Sequence, residues 1–581
     1  MRSRCILKRF SRLRGDFINR VVGGNLHMHL LVRLCAPFLL GSAVAVLGGC
    51  GMLPQGEVED NDTFDRAMPV QGGRPVRAAL QNDGDVDFYR IDETQRKVKG
   101  WGELLADEKD IVVKIKIENL YAALKIYQGD RVVKVIDDPP SSNAGQRETG
   151  FVNALFNAAD VLNGDAVFSI EESSWTEQGQ DGSPVQGERD YMLKVEIRPF
   201  QEDEEREPND KPVQATAMKD NTLVRGFLDP ALSGFEGDTM QREEDWYSVV
   251  VPDSSERRLL NISLSGVPNV NTRLALFDEL GYLVRESNSN GIGETEKLMS
   301  IGLKRGTYYI SVGSDEQPQK NMEVGYLLRL EWIDDPNSEY EPNDRYIFAN
   351  DVQFDRDMYG YFNPIGDTDW YKMSIYDPEP QIISIRISPT EDIDPVLEFY
   401  GPGESLIKSA DDRGVDEGEI IKNIGAVEGI YFVMVRNKNP KRDNPDSRYT
   451  LLVEKRQWQE DEEFEVNDTL DEANAVDLNG LKRGYISPKN DRDFYEFSVV
   501  SNTMDTEEPV EVTLEVSPCV LIDLAMRVYD EKGIFIEEIN NNPAEEGERE
   551  TLYLKGGVYF VEVLSMNDFE NARDAYTLRL Y

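Results

Sequence analysis

Histidine is nearly missing from this chain: two occur in 581 residues, His27 and His29. A chain that sheds its N-terminus would contain none. That excludes Ser-His-Asp and Cys-His catalysis and any His-ligated zinc or haem. Cysteine is almost as scarce, with Cys5, Cys35, Cys50 and Cys519. Cys519 stands alone in the body of the chain, so no disulfide framework can form, and its Val-Ser-Pro-Cys-Val setting reads as a small core residue. Positive charge is short: 63 Lys+Arg face 109 Asp+Glu, a net charge of −46. The first 49 residues hold eight Arg/Lys against Asp16, so the remainder carries −53. Such a surface excludes nucleic acid and anionic lipid as main partners and leaves divalent cations open. Beyond residue 50 no apolar run approaches the ~18 residues of a spanning helix. Aromatic residues, at 9%, are plentiful enough for real cores, so the acidity does not imply disorder.

The basic N-terminus leads into an apolar run from Leu30 to Val46, broken by Arg33, and ends in Leu47-Gly48-Gly49-Cys50. Basic segment, short apolar stretch, small residues and cysteine make an export address. The arrangement resembles the bacterial lipoprotein signal. That implies a signal over residues 1–49, a lipid on Cys50, and contact with a membrane through that lipid. Met28 is an alternative start that gives the apolar segment ordinary signal length. Gly51 after the cysteine resembles the pattern sorted to an outer membrane, with the periplasmic or surface side left open. An ordinary signal peptide or a short anchor would share the composition.

Internal repetition then sets the organisation. A Glu-x-Glu-x-Asn-Asp phrase occurs four times: Glu57, Glu59, Asn61 and Asp62; Glu205, Glu207, Asn209 and Asp210; Glu339, Glu341, Asn343 and Asp344; Glu463, Glu465, Asn467 and Asp468. A second phrase, acid-x-Asp-aromatic-Tyr, follows each: Asp85 and Asp87 before Phe88-Tyr89, Glu243 and Asp245 before Trp246-Tyr247, Asp367 and Asp369 before Trp370-Tyr371, Asp491 and Asp493 before Phe494-Tyr495. From the Asn to the second acid the spacing is 26, 36, 26 and 26 residues. A third phrase, Gly-x-Tyr-aromatic, begins at Gly306, Gly429 and Gly557, and a Tyr-x-Leu strand follows at Tyr326, Tyr449 and Tyr576. The first copy keeps Tyr191-Met-Leu193 but lacks the Gly-x-Tyr signal, and carries an acidic insertion near Glu171–Gly187. Between the phrases, segments such as Ile383-Ser-Ile385-Arg-Ile387 alternate with period two, as half-buried antiparallel strands do.

These patterns predict an all-β chain of four tandem β-sandwich, jelly-roll-like domains. The expected boundaries are 50–199 (the divergent copy), 200–333, 334–456 and 457–581. Of each aromatic-Tyr pair, one ring is expected in the core and the other at its edge.

The three phrases, in order and four times over from about residue 57 to 581, resemble the bacterial pre-peptidase C-terminal domain and the related collagen-binding domain of clostridial collagenases. The resemblance implies a β-sandwich that performs no chemistry and serves binding, secretion or stability. No peptidase motif accompanies it: neither His-Glu-x-x-His nor Gly-x-Ser-x-Gly occurs. It also implies calcium at the opening phrase together with the downstream acids. The chemistry agrees, since glutamates at i and i+2 of an extended segment share a side and clustered carboxylates supply the hard oxygens calcium prefers. The expected ligands are Glu57, Glu59, Asn61, Asp62, Asp85 and Asp87; Glu205, Glu207, Asn209, Asp210 and Asp245; Glu339, Glu341, Asn343, Asp344, Asp367 and Asp369; and Glu463, Glu465, Asn467, Asp468, Asp491 and Asp493. Asx turns and strand-capping carboxylates would use the same residues without metal. The expectation is a non-catalytic, lipid-anchored envelope binding or scaffold protein. Its partner would be an extracellular or envelope protein or polysaccharide, and not nucleic acid. The alternatives are an accessory factor for secreted peptidases and a carboxylate-based hydrolase.

Overall fold

The computed structural model describes residues 54–581, except 82–83, 93–109, 121, 138–147, 157, 173–189, 229–243, 253–257, 315–320, 501–507 and 568. The segment 1–49 expected to be a signal, Cys50, Glu243 and most of the acidic insertion near 171–187 lie outside the described residues. The described residues are nearly all β, and their strands form eight sheets. They pair off by stretch of sequence, within 55–199, 216–333, 350–457 and 474–580.

The third module gives the plan. One sheet orders the strands Asn350–Asp351, Thr368–Ile375, Gly429–Asn437, Pro395–Tyr400 and Leu406–Ala410; the other orders Asp357–Phe362, Asn444–Gln457, Gln381–Ile387 and Ile420–Ala426. All pairings are antiparallel except that of Asn350–Asp351 with Thr368–Ile375. The second and fourth modules repeat this order, while the first has two five-stranded sheets and a short helix at Ala158–Asn163.

Strand alternation builds the cores. Along Thr368–Ile375 every second residue is buried, placing Asp369, Tyr371, Met373 and Ile375 inside and Trp370 outside. Each module has its own buried cluster, that of the third including Ile383, Ile385, Phe399, Val433 and Leu451. Burying each such side chain contributes about 1.5–3 kcal/mol. The paired aromatics divide as the alternation requires. Tyr89, Tyr247, Tyr371 and Tyr495 are buried in the cores. The preceding ring packs on the outer face, as Trp370 does on Tyr400 at 5.0 Å between centroids and Trp246 on Phe277 at 5.2 Å. Cys519 is a buried free thiol in the fourth core.

Candidate functional site

Backbone hydrogen bonds bring the two acidic phrases of each module together. The opening phrase runs along the first strand of one sheet, with Glu339 N–H donating to the Tyr359 carbonyl at 2.8 Å and Glu463 N–H to that of Arg483 at 2.9 Å. The second phrase docks on its asparagine: the N–H groups of Phe88, Trp246, Trp370 and Phe494 donate to the carbonyls of Asn61, Asn209, Asn343 and Asn467 at 2.8–3.2 Å. Residues 26 or 36 apart in sequence thus share one acidic nest.

The nest has an inner and an outer part. The inner part is a tyrosine-carboxylate network at the sandwich core. In the third module, Tyr361 N–H donates to Glu339 Oε1 at 2.7 Å, and the hydroxyls of Tyr371 and Tyr449 lie 3.2 and 3.3 Å from Glu339 Oε2. The two hydroxyls are 2.6 Å apart, and Tyr449 donates to Asp369 Oδ2 at 2.7 Å. The second module repeats this with Tyr247, Tyr326, Glu205 and Asp245. The fourth uses Tyr495, Tyr576 and Asp493, with Glu463 taking the Tyr485 N–H and the Asn423 side chain. In the first, Tyr89 donates to Glu57 and Tyr191 to Asp87, both at 2.6 Å. Burial, followed by neighbouring carboxylates, holds Glu339 and Asp369 well above the ordinary carboxylate range. Burial likewise pushes Asp87 and Glu463 up to about 8.

A glycine permits this approach. A Cβ on Gly360 would fall inside the contact distance of both Glu339 Oε2 and the Tyr449 hydroxyl, and Gly226 and Gly484 occupy the equivalent places. The first module has Ala78 there, opposite Tyr191.

The outer part consists of the second glutamate, the motif aspartate and the first acid of the second phrase. In three modules it receives a cation from the module before. Lys134 lies 3.0 Å from Glu207 and 4.0 Å from Asp210. Arg285 pairs with Asp344 and Asp367 and lies 3.5 Å from Glu341. Lys408 lies 2.5 Å from Asp491, 3.4 Å from Asp468 and 3.8 Å from Glu465. All three cations sit at one register position, on the second strand of the edge hairpin, opposite Ile126, Leu276 and Phe399. Burial alone would favour the neutral form of Arg285 and Lys408, but the surrounding carboxylates outweigh it and raise both above their usual values, so both stay charged.

The junctions also join backbones. Gly302 N–H donates to the Glu341 carbonyl at 2.8 Å and Glu341 N–H to that of Ser300 at 2.9 Å; Gly425 N–H donates to the Glu465 carbonyl at 2.6 Å. The residue between the two glutamates covers that glycine: a Cβ on Gly302 would meet the Tyr340 ring at 3.0 Å, and one on Gly425 would overlap the Phe464 ring.

The sequence-predicted ligands are therefore not one set. In modules two to four, the first glutamate, second glutamate and second aspartate can converge: Glu205, Glu207 and Asp245; Glu339, Glu341 and Asp369; and Glu463, Glu465 and Asp493 each offer oxygens within 4.8 Å of one another. Glu465, Asp468 and Asp491 form a second such group, the one that Lys408 enters. In the first module Glu57, Asn61 and Asp87 come together, but Glu59 and Asp62 are exposed and Asp85 is half-buried.

The trios, each joining the inner pair of carboxylates to the second glutamate of the outer part, suit a hard divalent cation. Asp369 Oδ1, Glu341 Oε1 and Asn343 Oδ1 are buried acceptors without a hydrogen-bond partner, as are Asp245 Oδ1, Asn209 Oδ1, Asp87 Oδ1 and Asn61 Oδ1. The Asn467 amide expresses the alternative. With nitrogen inward it donates to Asp493 at 3.3 Å and to Glu465 at 3.1 Å, which satisfies Asp493 Oδ1 and Glu465 Oε2 in the nest of the fourth module without an ion. The outer part in modules two to four suits an ion less well, because a side-chain cation already compensates it.

No family model matches the chain. No curated protein matches it either. Among solved structures, the pre-peptidase C-terminal domain of a collagenase from Bacillus anthracis is 19% identical, with 19% of this chain and 94% of that chain covered and a TM-score of 0.16. The CUB1-EGF-CUB2 domain of human MASP-1/3 is 8% identical over 39% of this chain and 99% of that one, with a TM-score of 0.14. The BSP domain of a biofilm-associated protein is 8% identical over 84% and 94%, at 0.13. At such scores none of these likenesses bears on ligand or activity.

Sequence reasoning missed the cations and the partnership of the two tyrosines. A signal for the cations exists. Aligning the edge hairpins gives Val132-Val133-Lys134, Leu283-Val284-Arg285, Leu406-Ile407-Lys408 and, in the last module, Phe535-Ile536-Glu537.

Proposed function

We propose that this chain is a non-catalytic, lipid-anchored envelope protein whose modules form a stiff scaffold for binding at a distance from the membrane. The observation that carries the reading is the thrice-repeated insertion of a lysine or arginine from one module into the acidic nest of the next. Acids engaged identically at successive junctions suit a structural role, whereas a hydrolytic carboxylate pair would be special to one module. The anchor rests on the Leu47-Gly48-Gly49-Cys50 box. Replacing Cys50 with alanine should release the protein from the membrane fraction; unchanged membrane retention would refute lipidation. For stiffness, small-angle scattering should give a distance distribution that broadens when Arg285 and Lys408 are both replaced by glutamine. A wild type already as broad as freely hinged beads would sink the scaffold reading.

Calcium belongs to this proposal at the trios, with Glu205, Glu207 and Asp245, Glu339, Glu341 and Asp369, and Glu463, Glu465 and Asp493 holding it. Bound there, the ion would supply positive charge to the first glutamate and the aspartate of each trio, whereas the cation from the module before lies on the second glutamate. Melting in millimolar Ca²⁺ against EGTA should differ by several degrees. Identical melts together with no heat on titration would remove calcium from the account.

A further inference from the structure

The first and the last of the four modules differ from those between them in matching ways. Every interior junction has a donor face with a cation on the edge hairpin (Lys134, Arg285, Lys408), and the last two add a glycine on the neighbouring sheet (Gly302, Gly425) where the first has Leu155. It also has an acceptor face with an outer acid set, and between the two glutamates stands an aromatic residue at the last two junctions (Tyr340 between Glu339 and Glu341, Phe464 between Glu463 and Glu465) and Arg206 at the first. In the fourth module the donor features are replaced. Glu537 holds the register position of the cations, opposite Val528, and is exposed. Tyr553, 69% exposed, holds the position of the glycines, opposite Glu511. In the first module the acceptor face is present, and among the described residues nothing covers it. Glu59 and Asp62 are exposed, Asp85 is half-buried, and among the described residues no lysine or arginine pairs with any of them. Val58, in the place of Tyr340 and Phe464, is 68% exposed. Beneath them, Asn61 Oδ1 and Asp87 Oδ1 are buried acceptors without a partner.

We infer that the first module carries a docking socket for a lysine or arginine on an edge β-hairpin of another polypeptide, and that Glu537 and Tyr553 bar a second copy of this chain from filling it. The three sister nests identify the ligand chemistry, because each takes an ammonium or guanidinium from an adjoining β-sandwich. The exposed Val58 favours a protein over a bare ion, since an ion would leave that side chain uncovered. A self-donor would bring Glu537 onto Glu59, Asp62 and Asp85, where like charges repel. The inference extends the scaffold reading by naming a partner surface and rests on it only for the requirement that the protein bind others.

The test gives the fourth module the donor features it lacks. In the chain from Gly51 to Tyr581, the double variant Glu537→Lys/Tyr553→Gly should self-associate head to tail. It is followed by sedimentation equilibrium up to about 1 mM, the order of effective concentration at which a short linker presents neighbouring modules. Wild type at the same concentrations should stay monomeric. Adding Glu59→Gln and Asp85→Asn should weaken the association at least tenfold, and so should raised salt. Glu537→Lys alone, a surface change that spares the fold, should associate more weakly but in the same sense. Two results would overturn the inference: a double variant that stays monomeric while retaining its wild-type melting profile, or association that survives the Glu59 and Asp85 changes. Neither result would touch the scattering test of stiffness.

Discussion

Lys408 offers the sharpest single perturbation. It belongs to the third module, yet its ammonium is buried among Asp491, Asp468 and Glu465 of the fourth at 2.5, 3.4 and 3.8 Å. Its side chain is 8% exposed, and those of Glu465 and Asp491 are 1% and 0% exposed. Lys408→Met keeps most of the volume and removes the charge. Breaking a buried ion pair from one side costs about 3–5 kcal/mol, because the abandoned charge is neither paired nor solvated. The cost should fall on the fourth module, whose core is separate from that of the third. For a domain of this size it should appear as a calorimetric transition lowered by roughly 10–20 °C. Adding Asp491→Asn removes one stranded carboxylate and should recover part of the loss, a coupling of about 1–3 kcal/mol in the double-mutant cycle. A loss below about 1 kcal/mol, the range of exposed pairs, would refute the reasoning, as would a loss carried by the third module.

Other outcomes follow from the same geometry. Gly360→Ala forces a methyl group against Glu339 Oε2 and the Tyr449 hydroxyl, and should destabilise the third module by about 1–3 kcal/mol in urea unfolding, as overpacking does; Ala in a freely accessible strand position would instead be neutral. Tyr449→Phe removes the donor to Asp369 and leaves a buried carboxylate short of a partner, a loss of about 1–3 kcal/mol by the same assay. Glu419, 2% exposed, has its pKa pushed up to about 7 by burial against an ordinary 4.5. Its folded form therefore favours the proton. The stabilisation is complete below pH 4.5 and is lost as pH rises through 7, with an upper bound on the order of 3 kcal/mol. Glu419→Gln should flatten that slope in the third module's melting temperature between pH 4.5 and 8, and a slope unchanged by the substitution would rule Glu419 out as its source.

Much of the architecture was readable in the sequence because the determinants are local. Period-two alternation gave the strands, and phrases such as Glu339-Tyr-Glu341 and Asp369-Trp-Tyr371 recur at fixed spacing, so their meeting could be inferred before any contact was seen. The chemistry of the meeting was less legible. Treating both glutamates of the phrase as equivalent followed from their shared side, yet Glu339 is held by tyrosines of its own module while Glu341 faces Arg285. The difference depends on a tyrosine about 110 residues downstream and a cation about 60 upstream, separations at which periodicity carries no information. The first module shows the converse. Its phrase reads like the others, but Glu59 and Asp62 point outward, because a junction, and not the phrase, draws the second glutamate and the motif aspartate inward.

The division of each junction between a donor in one module and an acceptor in the next has a genealogical consequence. Any interior unit carries both halves, so it can be lost or copied without leaving a mismatched seam. Deleting 334–456 would set Arg285 before Glu465, Asp468 and Asp491, a pairing of the kind Lys408 already makes. The length of such an array can drift by whole units without a new interface having to evolve.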